Sequence, residues 1–197
     1  MTLNLPSLLQ LAWTSVRTPR DGARVIKGVD LPRTARWEAL FLIVVISVFL
    51  AQISTFLVTG QAIIVMGPFL ANPIMASIIQ MALLIVMVFA IYWIGRAMGG
   101  TGSFEDAILL VAWMQFVMVC LQVIQTVSLV LLPPLASLIG VAGLGLFFWL
   151  LTNFIAELHG FQSLGRVFAM VIASLFGIAF GLSLILSLIG VSVPGAL

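Results

Sequence analysis

The fourteen charged residues of this 197-residue chain stand in only three places, and that confinement governs what the chain can fold into. Nine lie between Arg17 and Glu38, three are Arg96, Glu105 and Asp106, and two are Glu157 and Arg166. The tracts 39–95, 107–156 and 167–197 carry no charge. A water-soluble domain spreads about a quarter charged residues over its whole surface. Here charge falls to 7% and hydrophobic residues rise to 63%. Lipid is the solvent of such a chain, and the charges mark where it emerges.

One crossing takes about 20 mostly apolar residues. The tract 39–95 holds two, divided where Gly60, Gly67-Pro68 and Asn72-Pro73 punctuate it. Spans are expected near 38–60 and 73–95, with Pro73 in the first turn of the second, where its missing N–H costs nothing. Pro133-Pro134 cannot continue a helix, so 107–156 divides into spans near 106–131 and 135–157. A fifth, near 167–190, runs out at Gly190 and Pro194. The expected fold is an all-α integral membrane protein. An amphipathic arm, 1–37, precedes a five-transmembrane-helix bundle, 38–191, and a tail, 192–197.

Lys and Arg gather in cytoplasmic loops. The arm holds six of the eight basic residues, and the turns 96–106 and 157–166 hold one each. The loop 61–72, the Pro133-Pro134 turn and the tail hold none, which places the N-terminus in the cytoplasm and the C-terminus across the membrane. The net charge of +2 thus serves topology, and no zinc spacing, phosphate loop or RNA-binding pattern points to nucleic acid. Leu3–Trp13 is not expected to be a cleavable signal, because nothing positive precedes it and Pro6 and Gln10 interrupt it. The single Cys120 cannot form an intrachain disulfide and reads as a small buried hydrophobe.

In the arm, Leu5, Leu8, Leu9, Ala12, Trp13 and Val16 recur at helical spacing. Thr18-Pro19 opens a second short helix that reaches Lys27 and stops at Gly28, and Arg33–Glu38 leads into span one. Basic residues beside apolar faces suit a helix lying in an anionic headgroup layer. Packing beneath the bundle to anchor the first helix is the other reading, and a protein-docking role is compatible with both.

No ionisable residue stands in the middle of a span, which argues against proton- or ion-driven transport and intramembrane proteolysis. One histidine, His159 at a helix end, cannot supply a multi-histidine metal site, so neither metal nor cofactor is expected. Span three aligns Gln115, Gln122 and Thr126, with Gln125 at the edge and Asn153 nearby on span four. Interhelical hydrogen bonding is the ordinary use of such a polar stripe; a water-lined conduit or a lipid groove is the alternative. Span five carries a small-residue ladder, Ala169, Ala173, Gly177 and Gly181, which suits either packing within the bundle or homo-oligomerisation. Looser versions are Ser47, Ala51, Thr55 and Thr59 on span one and Ala136, Gly140, Gly143 and Gly145 on span four.

The two turns bring Arg96, Glu105, Asp106, Glu157, His159 and Arg166 to one face. An ion-pair network stapling spans two to five is one reading of this polar cluster. A functional site with His159 titrating, even a membrane-bound enzyme centred on Glu157 and His159, is the other. Ser103 is placed to cap span three, with Glu105 and Asp106 at the positive end of its dipole.

Here the chain resembles the Yip1-domain family. The resemblance rests on the Gly-rich turn with Ser103-Phe104-Glu105-Asp106-Ala107, on Trp113, and on Ala156-Glu157-Leu158-His159-Gly160. It covers roughly residues 30–190, and the helix count and cytoplasmic N-terminus agree with it. The arm is shorter than in the eukaryotic vesicle-trafficking members and lacks an Asp-Leu-Tyr-Gly-Pro motif, which points to the compact bacterial branch. The resemblance implies a non-enzymatic multi-pass protein of the bacterial inner membrane, C-terminus periplasmic. Such a protein would organise or shape the bilayer, or serve as an adaptor for other membrane proteins. Its partners would be the bilayer, membrane proteins or a second copy through span five. The alternative function is permeation of a small molecule or lipid along the span-three stripe.

Overall fold

The computed structural model describes residues 4–59 and 72–188, which form seven helices with no strand among them. The arm gives α1, Leu5–Arg17, and α2, Pro19–Lys27. The remainder gives α3, Arg33–Thr59; α4, Pro73–Ala97; α5, Phe104–Leu131; α6, Pro133–His159; and α7, Leu164–Leu188. These last five are long and apolar enough to cross a membrane. Most of the expected 61–72 loop with Gly60 and Gly67-Pro68, the end of span five at Gly190, and the tail 192–197 lie outside the described residues.

Local chemistry sets the helix ends. Asn4 caps α1, its side chain accepting from the Ser7 N–H at 3.0 Å while Ser7 reaches back to the Asn4 N–H. Asn72 accepts from Ile74 N–H at 2.9 Å before Pro73, and Ser103 accepts from Asp106 N–H at 3.0 Å. Pro133 does not wait for a new helix to begin beyond it. It is the first residue of α6, because proline is tolerated where the N–H has no intrahelical partner. Gly160 ends α6 in the left-handed region at φ 76°, where a side chain would be strained. Arm and membrane portions are continuous at α3, which starts at Arg33, so Arg33–Glu38 leads straight into span one as expected.

The central helix is α5, packed against α3, α6 and α4 and touched by both arm helices. Its arm-side half, from Ala107 to Met114, is buried on every face. Gly140 and Gly143 let α6 approach it closely, since a methyl at Gly140 would stand 2.9 Å from Gln125 Nε2 and one at Gly143 3.0 Å from Leu121 Cδ2. By contrast α7 leans mainly on α6. Ala169, Ala173 and Gly177 of its ladder are exposed, and a methyl at Gly177 or Gly181 would meet nothing. Among the described residues nothing packs on the ladder: α7 turns Val167 and Val171 to the bundle and the small residues outward.

Candidate functional site

Polar side chains concentrate where the arm meets the ends of α5 and α6. Helix α1 does not stand off from the bundle. Leu11, Ala12 and Ser15 are buried, and the fully buried Ser15 accepts a hydrogen bond from Trp113 Nε1–H at 2.9 Å while donating to the Leu11 carbonyl. Trp149 Nε1–H donates to the Val16 carbonyl at 3.2 Å. Helix α2 crosses so near α1 that a methyl at Gly22 would overlap Ser15, which is why glycine stands there. Of the two readings of the arm, docking on the bundle is the geometry found. Its other face still exposes Leu5, Leu9 and Trp13, with the Arg17 guanidinium 4.6 Å from the Trp13 ring centroid.

The arm's cations close on the end of α6. Arg24 holds Glu157 through Nε and Nη2, each at 3.2 Å, Lys27 Nζ donates to the Glu157 carbonyl at 3.1 Å, and Arg20 Nη2 donates to the Phe161 carbonyl at 3.1 Å. Cations belong at this end of a helix, where unpaired carbonyls concentrate partial negative charge. Arg36 forms a more enclosed pair with Asp106 at 3.2 Å and also donates to the Leu31 carbonyl. An aromatic cluster flanks this pair, with Phe104 against Trp37, Phe89 and Tyr92 at centroid distances of 5.1–6.4 Å.

The ion-pair network expected among Arg96, Glu105, Asp106, Glu157, His159 and Arg166 is not what forms. Asp106 and Glu157 both pair with arginines of the arm and its continuation, and no ion pair joins any two of the six among the described residues. The turns lie on one face, as their chain positions require, but a better-placed set of cations reaches the carboxylates first. Arg96 and Arg166 are exposed and unpaired among the described residues.

His159 is buried, 3% exposed, and its ring is held by main chain alone. Nδ1 accepts from Gly102 N–H at 3.2 Å, so Nε2 carries the proton and donates to the Ile91 carbonyl at 3.0 Å. Thr101 N–H reaches the His159 carbonyl at 3.4 Å, and Phe161 stacks on the ring. A methyl at Gly95 or Gly100 would overlap the imidazole, and one at Gly102 would stand 2.6 Å from Leu158 Cγ. Three glycines thus shape a cradle that joins α4, the 98–103 turn and α6. With both nitrogens engaged, the imidazole has no lone pair to offer a substrate, and Glu157 is committed to Arg24. The geometry found here joins α4, the 98–103 turn and α6 through main-chain hydrogen bonds.

Deeper in the membrane, Gln122 Nε2 donates to the Ser47 carbonyl at 3.1 Å and Gln80 Nε2 to Ser47 Oγ at 2.6 Å. The Thr126 and Ser54 hydroxyls share a hydrogen bond at 2.6 Å, and Gln125 Nε2 donates to the Ala136 carbonyl at 3.2 Å. Three helices, α3, α4 and α5, are joined through the stripe, with Ser47 as its hub. Asn153 donates to its own helix at the Trp149 carbonyl, and Gln115 is half-buried with no side-chain hydrogen bond among the described residues. Neither the arm contacts nor the role of Ser47 and Gln80 emerged from the sequence. Gly95, Gly100 and Gly102 close on the imidazole in the structure, and the sequence alone does not mark them as its cradle.

A family model, the Yip1 domain, matches residues 13–185. The chain belongs to the Yip1-domain family. The match begins inside α1, so it takes in the end of that helix and all of α2. Searches of curated proteins and of solved structures return no match. Family membership and five candidate spans make this a multi-pass membrane protein.

Proposed function

We propose that this Yip1-domain protein is a non-enzymatic organiser or adaptor of a bacterial inner membrane, with arm and turns in the cytoplasm and the C-terminus in the periplasm. One observation carries the reading. The arm packs on the bundle by its inner face and offers Leu5, Leu9, Trp13 and Arg17 on its outer face, an apolar and basic ledge of the kind that suits a headgroup layer or a partner. Its orientation follows from the basic residues, all of which stand on the arm side. Two further features support the reading. The outward ladder of Ala169, Ala173, Gly177 and Gly181 suits a second copy or a partner's transmembrane helix. Three of the six turn residues serve to fix the arm and turns: Glu157 and Asp106 as anchors, His159 as a fastener. A permeation path has less support, because Gln122 and Thr126 are spent on hydrogen bonds within the bundle.

The test is a variant carrying Leu9→Ser and Trp13→Ser, which leaves the inner face intact. In-membrane crosslinking followed by mass spectrometry should lose the partners that the wild type captures, while the melting temperature stays within a few degrees. Unchanged crosslinks would remove the ledge from consideration.

A further inference from the structure

We propose that the cleft between α4, α6 and α7 is a binding site for one anionic phospholipid of the arm-side leaflet. Helix α7 touches α6 but stands away from α4, and between them runs a groove of about 250 Å³. Its walls are Leu83, Met87 and Ile94 of α4 and Met170, Ser174 and Ile178 of α7, and its floor includes Leu151 and Ile155 of α6. Ser174 is the lone polar residue on these walls, and its hydroxyl is turned into its own helix, donating to the Met170 carbonyl at 2.7 Å. From Leu83 to Ile94 the α4 wall extends about 16 Å at 1.5 Å per residue. That is close to half of a hydrocarbon core of about 30 Å, the depth one acyl chain occupies.

The groove continues toward the arm side. Met170 also lines a second cavity of about 300 Å³, formed by Met98, the 160–163 turn and Arg166. This upper cavity is more polar than the lower, with Gln162, Ser163 and Arg166 beside Met98, Phe161 and Val167 in its lining. Arg166 lies one helical turn above Met170, has no ion-pair partner among the described residues, and no Asp or Glu lines either cavity. An apolar trough of acyl length opening into a cationic, hydrogen-bonding chamber at headgroup depth complements a lipid phosphodiester with its negative charge uncompensated. A zwitterionic headgroup would bring its own ammonium to Arg166. This inference stands independently of the adaptor reading.

The test uses the full chain in nanodiscs of phosphatidylglycerol and phosphatidylcholine in equal parts, with retained lipid read by native mass spectrometry. The wild type should keep phosphatidylglycerol preferentially. Arg166→Gln should lower that preference about fivefold, the worth of one basic residue beside an anionic lipid. Ala90→Phe or Ser174→Phe, each adding a ring inside the trough, should lower retention of both lipids. Phosphatidylglycerol with a photoreactive acyl chain, applied to the wild type, should label the 83–94 and 170–178 peptides, which keeps the test independent of how the filled variants fold. The proposal is overturned if the wild type shows no preference, if Arg166→Gln leaves the preference unchanged, or if labelling falls on other helices.

Discussion

A methyl group at Gly95 should be costly only while His159 is present. The β-carbon of an alanine there would overlap the imidazole, and the ring cannot swing aside, because Gly102 N–H and the Ile91 carbonyl hold it at both nitrogens. Overpacking of this kind costs about 1–3 kcal/mol. His159→Ala is costly for a different reason: it strands two main-chain groups, each worth about 1–3 kcal/mol when buried unpaired. In the double variant the alanine methyl enters space that the ring has vacated, so the cost of Gly95→Ala disappears. The two changes should therefore couple by about 1–3 kcal/mol. Fraction folded against SDS in bicelles, measured for the four proteins of the cycle, gives the coupling. Costs that add to within about 0.5 kcal/mol would mean that the glycine does not seat the histidine, and the fastening role of the cradle would fall with it.

The remaining predictions concern the arm, the core and the ladder. Trp113→Phe removes the donor to Ser15 and should cost about 1 kcal/mol, with faster amide exchange confined to α1 and α2. Glu157→Arg should free α2 to proteolysis and Arg24→Glu should restore it, because Arg24 meets that carboxylate with two nitrogens; no restoration would mean the pair is incidental. Thr152 Oγ1 is buried without a partner among the described residues, so Thr152→Val should raise stability, by about 1 kcal/mol, where most core changes lower it. Gly177→Leu with Gly181→Leu should abolish self-association in a genetic helix-association or crosslinking assay while leaving the monomer folded, because a β-carbon at either position stands clear of the described residues.

What the sequence disclosed follows the range of the forces involved. Pro73, Ser103, Pro133 and Gly160 act within one turn of themselves, so helix ends could be placed from the residues alone. Charge confinement reports the bilayer directly, so the number of candidate spans was legible too. Arg24 and Glu157 are 133 positions apart, and Ser15 and Trp113 are 98 apart. No periodicity announces such pairs, and assigning Glu157 to the neighbouring turn was an inference from chain proximity that the docked arm overrode. Gly95 was hidden for another reason: inside a transmembrane helix a glycine is common, and only the imidazole beside it reveals what it makes room for. The outward direction of the α7 ladder was equally hidden, because small residues permit close approach without saying which neighbour approaches.

The docked arm also has a consequence in time. During synthesis α1 and α2 emerge before every element that receives them. Trp113 follows nearly a hundred residues later, and Trp149, Glu157 and Phe161 later still. Until then the face bearing Leu8, Leu11 and Ala12 lacks the bundle that covers it in the folded chain. The face that packs on the bundle is thus of the kind that an amphipathic helix lays on a membrane surface. A chain stalled before α6 is complete would carry its Leu8–Leu11 face without Trp149, Glu157 and Phe161 to hold the arm in place.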